Sequence, residues 1–132
     1  MIKHIKMKID VSNGEILDKI SILTIKKDKI TDKTKRDNVY HEYQTLLPFF
    51  NIIVSTPEIG DCYYQLHDVN RQLWNVEDDL RDLERDKNFG SKFVELARSV
   101  YHLNDKRAEW KKQINLLSGS DLIEEKSYSD YN

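Results

Sequence analysis

Cysteine, glycine and long apolar runs are scarce in this 132-residue chain, and each shortage excludes a class of function. Cys62 is the only cysteine, so neither an intrachain disulfide nor a cysteine-based zinc site can form. The four glycines provide no phosphate-cradling loop and no Gly-x-Ser-x-Gly turn. No apolar run reaches the roughly 18 residues of a membrane span, and MIKHIKMKID lacks the apolar core of a signal peptide. We therefore expect a cytoplasmic protein with no membrane attachment.

The formal charge is close to balanced, at −2 with a pI of about 6.1, but it is unevenly distributed. Residues 1–36 carry ten lysines and arginines against five aspartates and glutamates, whereas residues 37–90 carry four against eleven. Such a separation can steer a charged ligand or hold two copies together, although most of these side chains are expected on solvated helix faces. The basic cluster near the N-terminus has no recognition motif, so specific nucleic-acid binding is not expected.

The beginning of the chain predicts an extended arm followed by a helix. Apolar and polar residues alternate from Ile5 to Val11, which is the period-two pattern of a short strand or an extended arm. Since one strand is not stable alone, the arm must pair with the tail or a second chain, or lie across the helices. Ser12 and Glu15 form a capping box, which predicts a helix that begins after Ser12.

Two further helices are predicted in the middle of the chain. The second begins at about Lys35, and Pro48 is expected to kink it or end it. Thr56 as N-cap and Pro57 at the first helical position indicate the start of the third. The third helix has the most regular apolar stripe, with alternating steps of three and four residues: Ile59, Cys62, Leu66, Val69, Leu73, Val76, Leu80 and Leu83.

A fourth helix follows the turn DKNFGS, carries apolar residues from Phe93 to Leu117, and ends at Gly119 as C-cap. These elements predict a single all-α domain, an antiparallel bundle of about four helices. The predicted boundaries within 1–132 are 1–11 for the arm, 12–118 for the bundle and 119–132 for the tail. The last two helices would form a hairpin roughly 40 Å long. So long a hairpin in so small a chain predicts a homodimer.

Polar residues lie on or beside the apolar stripe of the fourth helix, where a core would need apolar ones. Asn104, Arg107 and Lys111 are spaced three and four residues apart and would point toward the interior. One interpretation is that Glu77 or Asp78 of the third helix pairs with these cations, since buried charges must be paired and such pairs can set helix register. The other is that arginine and lysine grip the phosphate of a ligand while an aromatic face stacks on its base.

Metal and nucleophile chemistry are less well supported by the sequence. Glu77, Asp78 and Asp79 are consecutive on a helix and fan out by about 100° each, so they cannot all face one Mg²⁺ ion. The four histidines share no metal-ligand spacing, and Cys62 falls on the apolar stripe, where a thiol is inert. We expect no metal and no cofactor, and the sequence identifies no catalytic residue.

Four motifs together resemble a known family: GEILDKISILTIK at 14–26, LWNVEDDLR at 73–81, LARSVYHLNDKRAEWKKQIN at 96–115 and GSDLIEEKSY at 119–128. Over nearly its full length the chain resembles a family of short bacterial and phage proteins known only as a domain of unknown function. Bacterial members tend to occur near genes for surface-polysaccharide glycosyltransferases, but the resemblance implies no established activity. Its motifs include Glu15 and Asp18. Its tail string EEKSY would fold back as a lid, reach a second subunit, or stay solvated.

These observations favour a homo-oligomeric protein that binds a small anionic metabolite, a nucleotide or nucleotide-sugar, and that could sequester it in a phage setting. An enzyme of surface-carbohydrate or nucleotide metabolism is the alternative, with Glu77 or Asp78 as general base or Mg²⁺ ligand. A structural adaptor without a small ligand is the second alternative. The candidate ligand-binding residues are Trp74, Glu77, Asp78, Arg81, Arg98, Tyr101, Asn104, Arg107, Lys111, Lys126 and Tyr128. In this hypothesis the basic residues contact phosphate, Trp74 or Tyr101 stacks, and Glu77 and Asp78 orient the basic groups.

Overall fold

Four α-helices make up the protein in a computed structural model, which describes residues 4–131. They are α1 (Asn13–Lys29), α2 (Lys33–Ile53), α3 (Pro57–Arg85) and α4 (Ser91–Ser118). No strand occurs in the described range, so the predicted all-α bundle is confirmed. None of these helices is long and apolar enough to cross a membrane. Residues 1–3 of the predicted arm and Asn132 of the predicted tail lie outside the described residues.

The helix ends follow local capping signals in the sequence. The Ser12 hydroxyl accepts a hydrogen bond from the backbone N–H of Glu15 at 3.1 Å, as the capping box predicts. Thr56 caps α3 with Pro57 in its first turn, and Gly119 ends α4 in the left-handed conformation with φ of 67°. These three helix boundaries are confirmed. They could be predicted because each capping contact involves residues within one helical turn.

The second helix departs from its prediction at both ends. It begins at Lys33, because the Asp32 carboxylate caps it by accepting from the backbone N–H of Lys35 at 3.0 Å. It also continues through Pro48 to Ile53, so an end at the proline is wrong. A proline removes one backbone donor, and the packing of neighbouring apolar side chains keeps the remaining turns helical.

The described part of the arm forms no strand, and its apolar side chains are exposed. Ile5, Met7 and Ile9 all face solvent, although they alternate with polar residues as a strand would. Residues 4–11 therefore form the extended-arm alternative within one chain, and no strand pairs with the tail. Period-two patterning supports a strand only where a partner edge exists, and an all-α chain offers none.

The core lies where α1 covers one half of the α3–α4 hairpin. α1 packs against each of the other three helices, and α3 and α4 pack against each other. The central buried cluster consists of Leu17, Ile20, Ile53, Ile59, Cys62, Leu66 and Ile114. Between residues 71 and 102 no residue is buried, and the stripe from Leu73 to Leu83 is only half-buried. The hairpin thus extends beyond the core as two helices without a third to cover them.

Candidate functional site

Asp18 is the centre of a polar cluster inside the bundle. Its side chain on α1 is 1% exposed and faces α4. There Arg107 donates from Nε to Oδ1 at 2.9 Å and from Nη2 to Oδ2. Two parallel bonds from one guanidinium to one carboxylate are stronger and more directional than single hydrogen bonds. The bond to Asp18 raises the pKa of Arg107 further above its usual value, so the guanidinium stays a cation.

The α3 helix joins this cluster through Asn70. The Nδ2 atom of Asn70 donates to Oδ1 of Asp18 and to Oγ of Ser21, at 3.0 Å each. Ser21 Oγ also lies 2.8 Å from Nδ1 of His67. Because the hydroxyl accepts from Asn70, it can donate its own proton to Nδ1 of a neutral His67. Burial, assisted by the nearby charge of Arg71, lowers the pKa of His67 and so favours that neutral form.

A second ion pair lies one turn away on the same two helices. Lys111 Nζ is 2.7 Å from Oε2 of Glu15 and 3.9 Å from Oδ2 of Asp18, and its side chain is 13% exposed. Burial acts to lower the pKa of Lys111, but the neighbouring carboxylates outweigh it and the pKa lies above its usual value. Burial likewise acts to raise the pKa of Glu15, and Lys111 outweighs it, so that pKa is lowered. We call these seven side chains the polar cluster: Glu15, Asp18, Ser21, His67, Asn70, Arg107 and Lys111.

The first turn of α1 approaches α4 closely. This approach places Asp18 opposite Arg107 and Glu15 opposite Lys111. The backbone N–H of Gly14 donates to Oδ1 of the buried Asn115 at 2.6 Å. A Cβ atom at Gly14 would clash with the carbonyl oxygen of Lys111 and would lie 2.9 Å from Asn115 Oδ1. Asn13 Nδ2 donates to the Ser118 hydroxyl at 2.9 Å. Within residues 4–131 every buried side-chain nitrogen and oxygen has a hydrogen-bond partner.

After Gly119 the tail turns back and runs antiparallel to α4. Lys112 Nζ lies 3.0 Å from both carboxylate oxygens of Glu125. Further along, Lys126 Nζ lies 3.5 Å from the carbonyl oxygen of Asn104. The EEKSY string therefore follows the helix surface as a lid would, yet every residue from 121 to 131 stays exposed.

An open groove of about 660 Å³ lies between α4 and the tail, and we call it the tail groove. Its far end is fixed by Tyr131, whose hydroxyl is 3.0 Å from Nδ1 of His102 and whose ring meets Tyr101 edge-on at 5.2 Å between centroids. A hydrogen bond with Asp105 raises the pKa of Tyr131. The cationic and aromatic side chains that line the groove are Arg107, Lys111, Lys112, Lys126, Tyr128 and Tyr131.

Five of the eleven candidate residues from the sequence meet in the tail groove. They are Asn104, Arg107, Lys111, Lys126 and Tyr128. Three come from one face of α4, as their helical spacing predicts. The other two come from the tail, which joins them only because the chain reverses after the C-cap at Gly119.

The remaining candidates lie elsewhere. Trp74, Glu77, Asp78 and Arg81 belong to the uncovered part of α3, and Arg98 lines a separate shallow groove on α4. Tyr101 contacts the tail groove only through the ring of Tyr131.

The expected pairing of Glu77 or Asp78 with Arg107 or Lys111 is wrong. Glu77 instead forms an ion pair with Arg81 on its own helix. Asn70 is the last buried residue of α3, and Glu77 lies about 10 Å further along that helix. The carboxylates of Glu15 and Asp18 on α1 therefore lie close enough to pair with Arg107 and Lys111, whereas Glu77 does not.

The sequence missed the acidic half of the cluster. Glu15 and Asp18 fall within the GEILDK motif, but nothing local identified α1 as the helix that faces α4. The available signal was the three-residue spacing of Glu15 and Asp18, which places both carboxylates on one face of α1. The four-residue spacing of Arg107 and Lys111 likewise places both cations on one face of α4. No group of three or more histidine, cysteine, aspartate or glutamate side chains in the described chain is arranged to hold a metal ion.

Comparison with known proteins identifies a family but no activity. A model described as a family of unknown function, DUF6165, matches residues 7–131. No curated protein and no solved structure matches the chain. The resemblance drawn from the four motifs is thereby confirmed.

Proposed function

Because the chain belongs to DUF6165, a family of unknown function, we propose a function from its own geometry. The protein binds a small anionic metabolite, of the nucleotide or nucleotide-sugar type, in the tail groove. The observation that carries the proposal is the convergence of four cations and two tyrosines on one groove, which five carboxylates also line. The cations and tyrosines are Arg107, Lys111, Lys112, Lys126, Tyr128 and Tyr131, and the acids are Asp105, Glu109, Glu124, Glu125 and Asp130. Its volume of about 660 Å³ lies within the roughly 300–1,000 Å³ typical of small-molecule sites.

The four cations fall into an inner pair and an outer pair. Arg107 and Lys111 form the inner pair and are held by the carboxylates of α1, so their positive charge is fixed in place before any ligand arrives. Lys112 and Lys126 form the outer pair and reach the groove with exposed ammonium groups that can donate to phosphate oxygens. An exposed ring such as Tyr128 offers the aromatic face on which a base stacks.

The inner pair is a poor target for testing this proposal. Replacing Arg107 with alanine would leave the buried carboxylate of Asp18 without its cation, and breaking a buried pair costs about 3–5 kcal/mol. Loss of binding would then be indistinguishable from loss of the fold. The outer pair is exposed, so its replacement leaves the bundle intact.

The test is isothermal titration calorimetry with ADP, GDP and UDP-glucose on the wild type and on Lys112→Ala/Lys126→Ala. We expect binding of at least one ligand, and a rise in Kd of roughly tenfold or more in the double variant, since each exposed cation contributes about 1 kcal/mol. Lys29→Ala/Lys35→Ala, which removes two exposed lysines outside the groove, is the matched control and should bind as the wild type does. The proposal fails if no ligand binds or if the control loses as much affinity. Product formation from any of the ligands would indicate an enzyme instead.

We place this activity in the cytoplasm, as the sequence predicts. The support is the single cysteine, Cys62, since small secreted domains commonly carry paired cysteines in disulfides. In a phage-infected cell, binding without turnover would sequester the ligand.

We further propose that the protein is a homodimer formed by the α3–α4 hairpin. The support is the half of the hairpin between residues 71 and 102, where no residue is buried and where Phe89 and Val94 are 52% and 51% exposed. A second copy packed there would complete a four-helix arrangement. Charge favours this partner, because residues 77–85 of α3 carry five acidic side chains against two arginines, while α4 carries exposed Lys92, Arg98 and Lys106.

A further inference from the structure

Two consecutive acids of the tail face two consecutive lysines of the groove. Lys111 Nζ is 3.5 Å from Oε2 of Glu124, and Lys112 Nζ is 3.0 Å from both carboxylate oxygens of Glu125. The side chains of adjacent helical residues such as Lys111 and Lys112 point about 100° apart. Both ion pairs can therefore form only if the tail backbone follows the surface of α4. The tail therefore presents two neighbouring anionic groups to two neighbouring cations.

Lys111 does not need the carboxylate of Glu124. Its ammonium is already 2.7 Å from Glu15 and 3.9 Å from Asp18, so Glu124 is the third acid around one lysine. The two acids of α1, the buried Asp18 and the half-buried Glu15, hold the ammonium at the groove wall, and the more exposed tail acid also approaches it. A donor of Lys111 is thus directed into the groove whether or not the tail is in place.

The two tail contacts are weak because they are exposed. The side chains of Glu124 and Glu125 are 58% and 68% exposed. Ion pairs at such positions contribute about 0–1 kcal/mol each. An anion that offers the same lysines better-placed oxygens can therefore replace the tail at little cost.

From these contacts we infer that the tail is an internal competitor for the anion site, and that the ligand carries two adjacent anionic groups of the diphosphate type. This inference rests on the proposed function and adds to it the ligand class and its control. Glu124 and Glu125 stand where the two phosphates bind. A diphosphate meets Lys111 and Lys112 together, which a single phosphate does not. Binding then displaces the carboxylates of Glu124 and Glu125 from the lysines, while Tyr131 holds the far end of the tail against α4.

The first experiment compares inorganic pyrophosphate with orthophosphate on the wild type and on Glu124→Gln/Glu125→Gln. The glutamines keep the volume of the side chains and remove the competing charges. We expect pyrophosphate to bind roughly three- to tenfold more tightly to the double variant than to the wild type, given two exposed ion pairs. Orthophosphate should bind more weakly than pyrophosphate to both. Glu42→Gln/Asp61→Asn removes two exposed charges outside both the groove and the open half of the hairpin, and is the control for net charge.

The second experiment follows the tail directly in the wild type. Heteronuclear NOE values of the backbone amides of Glu124 and Glu125 should fall on addition of pyrophosphate, because the displaced segment moves on the nanosecond timescale. Amides near Tyr131, which holds the far end of the tail, should keep their values. Amides of α4 should not change in this way. If pyrophosphate binds without displacing Glu124 and Glu125, the NOE values of the tail amides stay unchanged.

The outcomes separate the two proposals. If neither the wild type nor the double variant binds pyrophosphate or any nucleotide, the proposed function fails. If both bind pyrophosphate equally and the tail amides stay rigid, the binding function stands and the competition is refuted. If the control variant gains as much affinity as Glu124→Gln/Glu125→Gln, the effect is one of net charge and the competition is again refuted. Tighter binding confined to the tail variant, together with lower NOE values at Glu124 and Glu125, confirms the inference.

Discussion

His67 is the residue at which the polar cluster responds to pH in the neutral range. In its neutral form it accepts the proton of Ser21, whose oxygen in turn accepts from Asn70. Burial lowers its pKa in the folded state below the value of about 6.5 that an unfolded chain has. The folded state therefore binds a proton less readily than the unfolded state. Its contribution to stability is complete above about pH 6.5 and is lost as the pH falls through the folded pKa.

We predict that the free energy of unfolding of the wild type falls between pH 7.5 and pH 5, and that His67→Gln removes much of this fall. At pH 7.5 the variant should lose about 0.5–1.5 kcal/mol, the contribution of one hydrogen bond. Urea denaturation followed by circular dichroism measures both quantities. Glu15 does not interfere, since its lowered pKa matters only below about pH 4.3. His41→Gln on the exposed face of α2 should keep the wild-type pH dependence, and an equally flat profile there would contradict the assignment.

The sequence predicted that the side chains of Arg107 and Lys111 point toward the interior, but it did not predict their partners. Arg107 and Lys111 fell beside an apolar stripe, and that local pattern was sufficient to predict their inward direction. Their partners Asp18 and Glu15 lie 89 and 96 residues away, so the pairing depends on which helix is placed opposite. A carboxylate at the right spacing existed on both α1 and α3, and only the packing of the whole bundle distinguishes them.

Gly14 determines how closely two elements approach, because its missing side chain lets α1 lie against the backbone of α4. Replacement with alanine would normally stabilise a helix, since glycine there costs about 0.5–1 kcal/mol. At this position the added Cβ would meet the carbonyl of Lys111 and the amide of Asn115. The helices would have to separate, which would stretch the bonds of both ion pairs.

We predict that Gly14→Ala destabilises the protein by about 1–3 kcal/mol, the usual cost of overpacking. Gly60→Ala is the matched control, because it lies inside α3 and its Cβ would meet only a methyl group of Val54 at 3.6 Å. The control should gain up to about 1 kcal/mol. Thermal unfolding of the two variants beside the wild type measures the difference. A stabilised Gly14→Ala would mean that α1 does not dock as described.

The elements themselves were the most predictable part of the protein. Ser12, Thr56 and Gly119 each cap a helix through contacts within a few residues, and the sequence displays such contacts directly. The stripe of α3 also predicted a buried face, but periodicity cannot tell that its first half lies under α1 while its second half lies open. Coverage depends on the lengths and positions of the other helices, since α1 has 17 residues and α3 has 29.

The open half of the hairpin leads to a prediction for the whole molecule. Sedimentation equilibrium of the wild type should give twice the chain mass of 15.7 kDa. Val94→Lys should shift the equilibrium toward the monomer, because a lysine at the centre of the proposed contact would have to be desolvated without a partner. Ile52→Lys places the same charge at an exposed position of α2 outside the hairpin and should stay dimeric. A wild type that sediments as a monomer at micromolar concentration would contradict the proposal.

The contact between the first turn of α1 and the end of α4 also has a consequence for how the protein folds during synthesis. Gly14 and Asn115 are separated by 101 residues, and Asp18 and Arg107 by 89. The α1–α2 and α3–α4 contacts can form from neighbouring segments as they leave the ribosome, whereas the polar contacts of α1 must wait for α4. Closing so long a loop has an entropic cost that only the finished contact repays. Until Arg107 has been made, Asp18 has no cation to pair with in the core, so we expect α1 to dock fully only after α4 has been synthesised.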